Sequence, residues 1–217
     1  MAVRHEAYAP PGWSYNPSSW SERRPLLVLA AFGLAAAIYT ACEQLGIVAQ
    51  MWDPFFGSQS SYLVTHSVIS RLLPIPDGLL GVVGYLCDLI FGALGTQDRW
   101  RRLPGVVLLF GLIITGLGVV SVALTILQGV VILHWCTVCL ISAAISMLIF
   151  GLGIGEVLAS LQYLARERAR GYAFWPALWG SKKRPTQQRR KDAKRMTEET
   201  ASSTTEQPMD GGHVIAH

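Results

Sequence analysis

Four long stretches of apolar residues divide the chain, and shorter segments bearing proline, glycine and charge separate them. The first, Pro25 to about Val48, is long enough, at about 1.5 Å per helical residue, to cross a hydrocarbon layer about 30 Å thick. Gly78–Leu94 is a second run near the lower length limit for a span, and about Pro104–Gln128 and Trp135–Leu158 form a third and a fourth. The pattern predicts four membrane-buried helices. Between the first two runs, residues 50–76 are apolar but broken by Pro54, Gly57, Pro74 and Pro76. Within them Ser60–Leu73 places Tyr62, Leu63, Ile69, Leu72 and Leu73 in an amphipathic pattern, too short and too polar to span. The expected architecture is all-α: an integral membrane four-helix bundle with a short outer capping half-helix.

Polar residues interrupt the apolar runs at a few places. Cys42, Glu43 and Gln44 fall towards the far end of the first span, and Cys87 and Asp88 lie inside the second. An ionisable group at such depth reads either as functional or as a carboxylate that pairs or snorkels near the interface. Small residues in the third span (Gly111, Gly116, Gly118, Ser121, Ala123) and in the fourth (Ser142, Ala143, Ala144, Ser146) predict faces where helices approach closely. Residues 1–24 form an irregular lead, 25–163 the membrane domain, and 164–217 a basic and then polar tail whose composition reads as disordered.

Composition supports this reading: 51% of residues are hydrophobic, 15% are charged, and the mean hydropathy is +0.36. A soluble domain of this size carries more charge. The net charge of +4 matters less than its distribution, because seventeen of the eighteen Lys and Arg residues fall in the lead, in the hinge from Arg99 to Arg102, or from Arg166 onwards, leaving only Arg71 in the loop after the first span. The positive-inside rule then puts both termini and the hinge in the cytoplasm, with the capping loop outside. The bilayer is the expected partner of this surface, and nucleic acid is not.

At the head of the fourth run stands Trp135-Cys136-Thr137-Val138-Cys139. Two thiols one helical turn apart can close a disulfide, and a helix N-terminus stabilises the thiolate that exchange requires. A zinc site needs four ligands, and no second Cys-x-x-Cys or His-x-x-x-His pair supplies them, so no metal is expected. The alternative is two buried cysteines spaced by chance. Placement at the outer face favours redox chemistry, since the space outside a bacterial inner membrane, or the lumen of a secretory organelle, tolerates disulfides. A lipid-soluble quinone can reach such a site through the bilayer and accept two electrons.

Together with Pro76-Asp77-Gly78-x-x-Gly81-x-x-x-Tyr85 at the head of the second span, this box resembles the vitamin K epoxide reductase (VKOR) family, over roughly Leu26 to Gln162. The resemblance implies a quinone-linked thiol–disulfide oxidoreductase of bacterial type in the inner membrane. It implies a ubiquinone- or menaquinone-type acceptor and a thioredoxin-like periplasmic thiol protein as donor. Cys136 and Cys139 would be catalytic: Cys139 faces the quinone and forms a transient adduct, and Cys136 exchanges disulfides with the partner. Asp77 and Tyr85 would line the quinone site. The family usually has an amide before Gly78, whereas Asp77 donates to a quinone oxygen only when protonated.

Two departures from the family pattern stand out. The loop from Gln50 to Pro76 contains no cysteine, where relatives carry a relay pair; Trp52 and Ser60 stand roughly in its place. A Tyr found one turn after the box in vertebrate members is Ala143 here. Without a relay, an external thiol must attack Cys136 directly, as the outermost sulfur of the pair, and Cys42 and Cys87 are assigned to packing. Two readings stay open besides the enzyme. One is a non-catalytic scaffold or lipid- or quinone-binding subunit that keeps the fold. The other is the DsbB-type four-helix fold, which the position of the box at the start of the fourth span disfavours.

Overall fold

The computed structural model describes residues 9–67, 70, 75–171, 178–179 and 194–197. Their main elements are all helical: α1 (Trp20–Gln44), α2 (Ser58–Thr65), α3 (Asp77–Ala93), α4 (Arg99–Arg102), α5 (Pro104–Leu127) and α6 (Thr137–Ala169), with a π-helical turn, Gln128–Ile132, before α6. Three helices are long and apolar enough to cross a membrane: α1, α5 continued by its π turn, and α6. At 17 residues α3 is shorter. Large apolar side chains such as Phe32 and Leu112 are 65% and 69% exposed, a surface that water would penalise and lipid accepts. The chain is an integral membrane protein.

The four long helices close a ring, α1 packing on α3 and α6, and α5 on the same two from the other side. Leu26, Ala30, Ala37, Tyr85, Phe110, Ile114, Ile145 and Ile149 fill the centre. Close approach depends on missing side chains. A Cβ on Gly33 would stand 2.4 Å from the ring of Tyr85, and one on Gly111 would stand 2.6 Å from Val157. The small residues of α5 do not all pack, however: Gly116 meets nothing within 4 Å and borders a cavity instead.

At one end of the ring, charge is drawn inside. α1 starts at Trp20, ahead of the apolar run, because Arg23 is buried and not stretched to a membrane surface. Its Nε donates to the carbonyl of Gly92 (2.9 Å), and its Nη atoms donate to those of Leu94 (2.9 Å) and Gly95 (3.1 Å), groups that a helix C-terminus leaves without partners. Arg99 does the same for Phe91 (2.5 Å) and Leu94 (2.8 Å), and its guanidinium pairs with buried Glu156 of α6, which Ser18 also meets. The described part of the lead is thus attached to the bundle, with Trp13 donating to Gln162 (3.0 Å) and Asn16 to the Gln97 carbonyl (2.8 Å).

At the opposite end, Gly57 precedes α2, and the chain from Met51 to Thr65 folds over the head of α6. Of the predicted half-helix Ser60–Leu73, the part to Thr65 is helical, and residues 68–69 and 71–74 lie outside the described residues. So do the first eight residues and most of the tail beyond Gly171.

Candidate active site

Cys136 caps the N-terminus of α6, its Sγ accepting from the backbone N–H of Cys139 at 3.2 Å. Cap residues are non-helical and usually carry an oxygen acceptor; here sulfur takes that place. Both thiols are free. A hydrogen bond from the Cys139 thiol is the main influence on Cys136 and holds its thiol below the usual range, helped by the Cys139 backbone and Ser61 and opposed by burial and by the charge of Asp53.

The sequence expectation that an external thiol reaches Cys136 directly meets a closed loop in the structure. Cys136 has no exposed surface and packs under Met51 and Val64. The reason lies in the loop. Asp53 takes hydrogen bonds from the backbone (2.8 Å) and hydroxyl (2.6 Å) of Thr137 and from Ser61 (2.5 Å), and it turns its own segment through the N–H groups of Phe55 and Phe56 (both 2.9 Å). Although burial acts the other way, hydrogen bonds from Ser61 and Thr137 hold the Asp53 carboxyl well below the usual carboxylate range. Ser60 completes the closure, donating to the carbonyl of Trp135 (2.8 Å) and accepting from its N–H (3.1 Å). The serine near an expected relay position therefore ties the cap to the box. Trp135 itself lies on Gly129 of the π turn, where a Cβ would stand 2.9 Å from the indole.

Cys139 faces the other way, into a cavity of about 400 Å³ between α1, α3, α5 and α6. Asp77, Tyr85, Cys87 and Ala143 share that wall, so three of the sequence-predicted site residues, Cys139, Asp77 and Tyr85, meet on one space. The hydroxyl of Tyr85 is engaged elsewhere, within 2.7 Å of the Ser142 carbonyl and of the Ser146 hydroxyl. Asp77 is an acceptor: its Oδ1 receives Gln44 Nε2, Ser70 Oγ (3.2 Å) and its neighbour's N–H, from Gly78 (3.0 Å). Three donors on one oxygen leave it no proton to offer, so the expected donation from a protonated Asp77 does not fit that oxygen. Gln44 supplies an amide at this point, its Oε1 accepting from Gly78 N–H at 3.0 Å.

Sequence reasoning passed over Asp53 and Ser61, and it noted Glu43 and Gln44 without giving either a place in the site. For Asp53 a signal existed, since it is the only acidic residue between Gln50 and Pro76. Asp88, left open between two readings, is fully buried, with no hydrogen-bond partner on either oxygen. Cys42 is half-buried in α1, whereas Cys87 borders the cavity.

The cysteine pair stands at one end of a helical membrane protein and adjoins an apolar cavity, an arrangement that suits membrane redox chemistry. Residues 24–154 match the model of the vitamin K epoxide reductase family, and the chain belongs to that family. Its members are generally oxidoreductases that use a quinone or vitamin K as electron partner. Comparisons with curated proteins and with solved structures return no match.

Proposed function

We propose that the chain is a membrane thiol–disulfide oxidoreductase that passes electrons from a protein dithiol to a membrane quinone through Cys136 and Cys139. The observation that carries this reading is the opposite facing of the two sulfurs: Cys139 borders the cavity, and Cys136 lies beneath the outer loop. The cavity suits a quinone ring in size and in its mostly apolar wall, with polar groups at few points. Its seam between α3 and α5, where the two helices meet less extensively than the other neighbouring pairs, is the natural entry from lipid. When bound, the quinone supplies a sink for two electrons and two protons.

The residues have the following roles on this reading. In the oxidised state, with Cys136 and Cys139 joined as a disulfide, an external thiolate attacks Cys136, the S–S bond breaks and Cys139 leaves as a thiol, and a second partner thiol displaces Cys136 to complete the exchange. Because Cys136 is buried, the segment from Met51 to Thr65 must lift first. The dithiol then closes to a disulfide again, releasing two electrons and two protons to the acceptor. The ring of Tyr85 walls the cavity, and Asp77 with Gln44 holds the heads of α1 and α3 together.

The protein is placed in a bacterial inner membrane with four spans and both termini in the cytoplasm. Residues 25–163 form the catalytic domain, between the lead and the tail. The donor is a thioredoxin-like periplasmic protein, and the acceptor is of the ubiquinone or menaquinone type. The test is quinone-dependent oxidation of a reduced thioredoxin-like protein by the purified chain. Cys139→Ser should accumulate a mixed disulfide on Cys136, Cys136→Ser should trap none, and both should abolish turnover. A second reading rests on the cysteine-free outer loop: the chain has kept the fold as a non-catalytic scaffold or quinone-binding subunit. No turnover by the parent above that of the two variants would favour it.

A further inference from the structure

At the end of the bundle away from the cysteine pair, a second cavity of about 290 Å³ lies between the last turns of α6, α4 and the lead. Ser160 of α6 donates to the carbonyl of Trp100 in α4 (3.2 Å), four residues before α5 begins at Pro104. Residues 161–169 then carry α6 about 14 Å further, at 1.5 Å per residue, past the apolar spans and into the layer where headgroups lie. Helical spacing puts Leu158, Gln162, Arg166 and Arg170 on one ridge. Leu158 is apolar and 45% exposed, and the other three border the cavity. Apolar surface thus gives way to cationic surface along one line, the order in which a phospholipid presents its chains and its phosphate.

Charge decides what fits there. The wall holds three guanidinium groups, those of Arg101, Arg166 and Arg170, and two carboxylates, those of Asp98 and Glu167. Both carboxylates are buried and already engaged, Asp98 with Arg101 (3.6 Å) and Arg102, and Glu167 with Arg170 (3.0 Å). Arg166 is the cation left over. Among the described residues it has no carboxylate partner, and its Nη2 donates to the carbonyl of Pro11 at 3.2 Å. A guanidinium has five N–H donors, so most of its capacity stays open to an anion. The side chains of Arg101 and Arg170 are 44% and 68% exposed beside it. Trp100 and Tyr163 meet edge to face in the same wall, 5.9 Å between centroids, and such rings favour the headgroup level of a bilayer.

We propose that this cavity binds the headgroup phosphate of an anionic phospholipid, with Arg166 as its main partner and Arg101 and Arg170 at its sides. The one positive charge left in the wall is the complement of one phosphodiester, and the planar fork of Arg166 matches two phosphate oxygens. A zwitterionic lipid carries a cationic group as well and would bring it against three arginines. Basic pockets between membrane helices are known to hold anionic headgroups in this way. The site is independent of the thiol chemistry at the opposite end.

Native mass spectrometry tests it, on the full chain purified in detergent with an equimolar mixture of phosphatidylglycerol and phosphatidylcholine. The parent should retain one phosphatidylglycerol, with about tenfold preference over phosphatidylcholine. Arg166→Gln, which keeps a donor for the Pro11 carbonyl, should cut that preference to about twofold or less. Arg24→Gln removes an exposed charge of α1 that does not border the cavity, and should leave the preference unchanged. Equal losses in the two variants would reduce the effect to general charge attraction and overturn the site. So would equal retention of both lipids by the parent, a result that decides even if Arg166→Gln does not fold. Inorganic phosphate at about 10 mM should not displace the lipid; displacement would make free phosphate the ligand and overturn the assignment to a lipid.

Discussion

Asp53 spans from the outer loop to the first residue of α6 and takes hydrogen bonds from three segments. Replacing it with Asn keeps the shape but weakens charge-assisted bonds to buried donors, which should lower stability by about 2–3 kcal/mol near neutral pH. The sign of its pH dependence follows from a carboxyl held below its usual range. Its stabilisation is complete above the unfolded value of about 3.9 and is lost as pH falls through the lower folded value. Thermal unfolding in detergent should therefore show a gap between parent and Asp53→Asn that is full at about pH 7 and narrows below about pH 4. A gap constant with pH would mean that the carboxylate charge contributes nothing.

At the scale of elements, the long helices were legible because apolar runs bounded by Pro and charge leave few alternatives. The start of α1 was misread for a specific reason: arginines beside an apolar run look like surface anchors, yet the side chain of Arg23 turns inward to cap α3. No local pattern could have shown this, since its partners lie about seventy residues away. The π turn was hidden too, having no signal beyond continued hydrophobicity. Of the site, the spacing of Cys136 and Cys139 was readable, but the cap over Cys136 depends on a loop contact of 84 residues' separation. If that cap moves as a unit, Ser61→Cys should form a disulfide with Cys136 on oxidation and hold it shut. Mass spectrometry would detect the bond, and accessibility of Cys136 to a soluble thiol reagent should drop to background. No cross-link would place α2 away from the box.

On the scale of the whole molecule, the two ends differ in what they bury. The end bearing Arg23, Arg99 and Glu156 is held by ion pairing and carbonyl capping. Glu156→Ala should destabilise the protein by about 3–5 kcal/mol, because it leaves the Arg99 guanidinium buried without its counter-ion. The drop in melting temperature in detergent measures this. Orientation follows from the split of basic residues: a cysteine introduced at Gln188, outside the described residues, should resist an impermeant thiol reagent in whole cells. Labelling from outside would invert the proposed topology.

The cap over Cys136 has one more consequence on the proposed reading. Its two sulfurs open onto different media, water under a lifted loop and lipid through the seam of α3 and α5. A hydroquinone and an oxidised partner protein then share no common solvent in which to meet. Current can flow only through the four atoms of a dithiol, and the closed loop behaves as an insulator that prevents a short circuit between a soluble pool of thiols and a hydrophobic pool of oxidant.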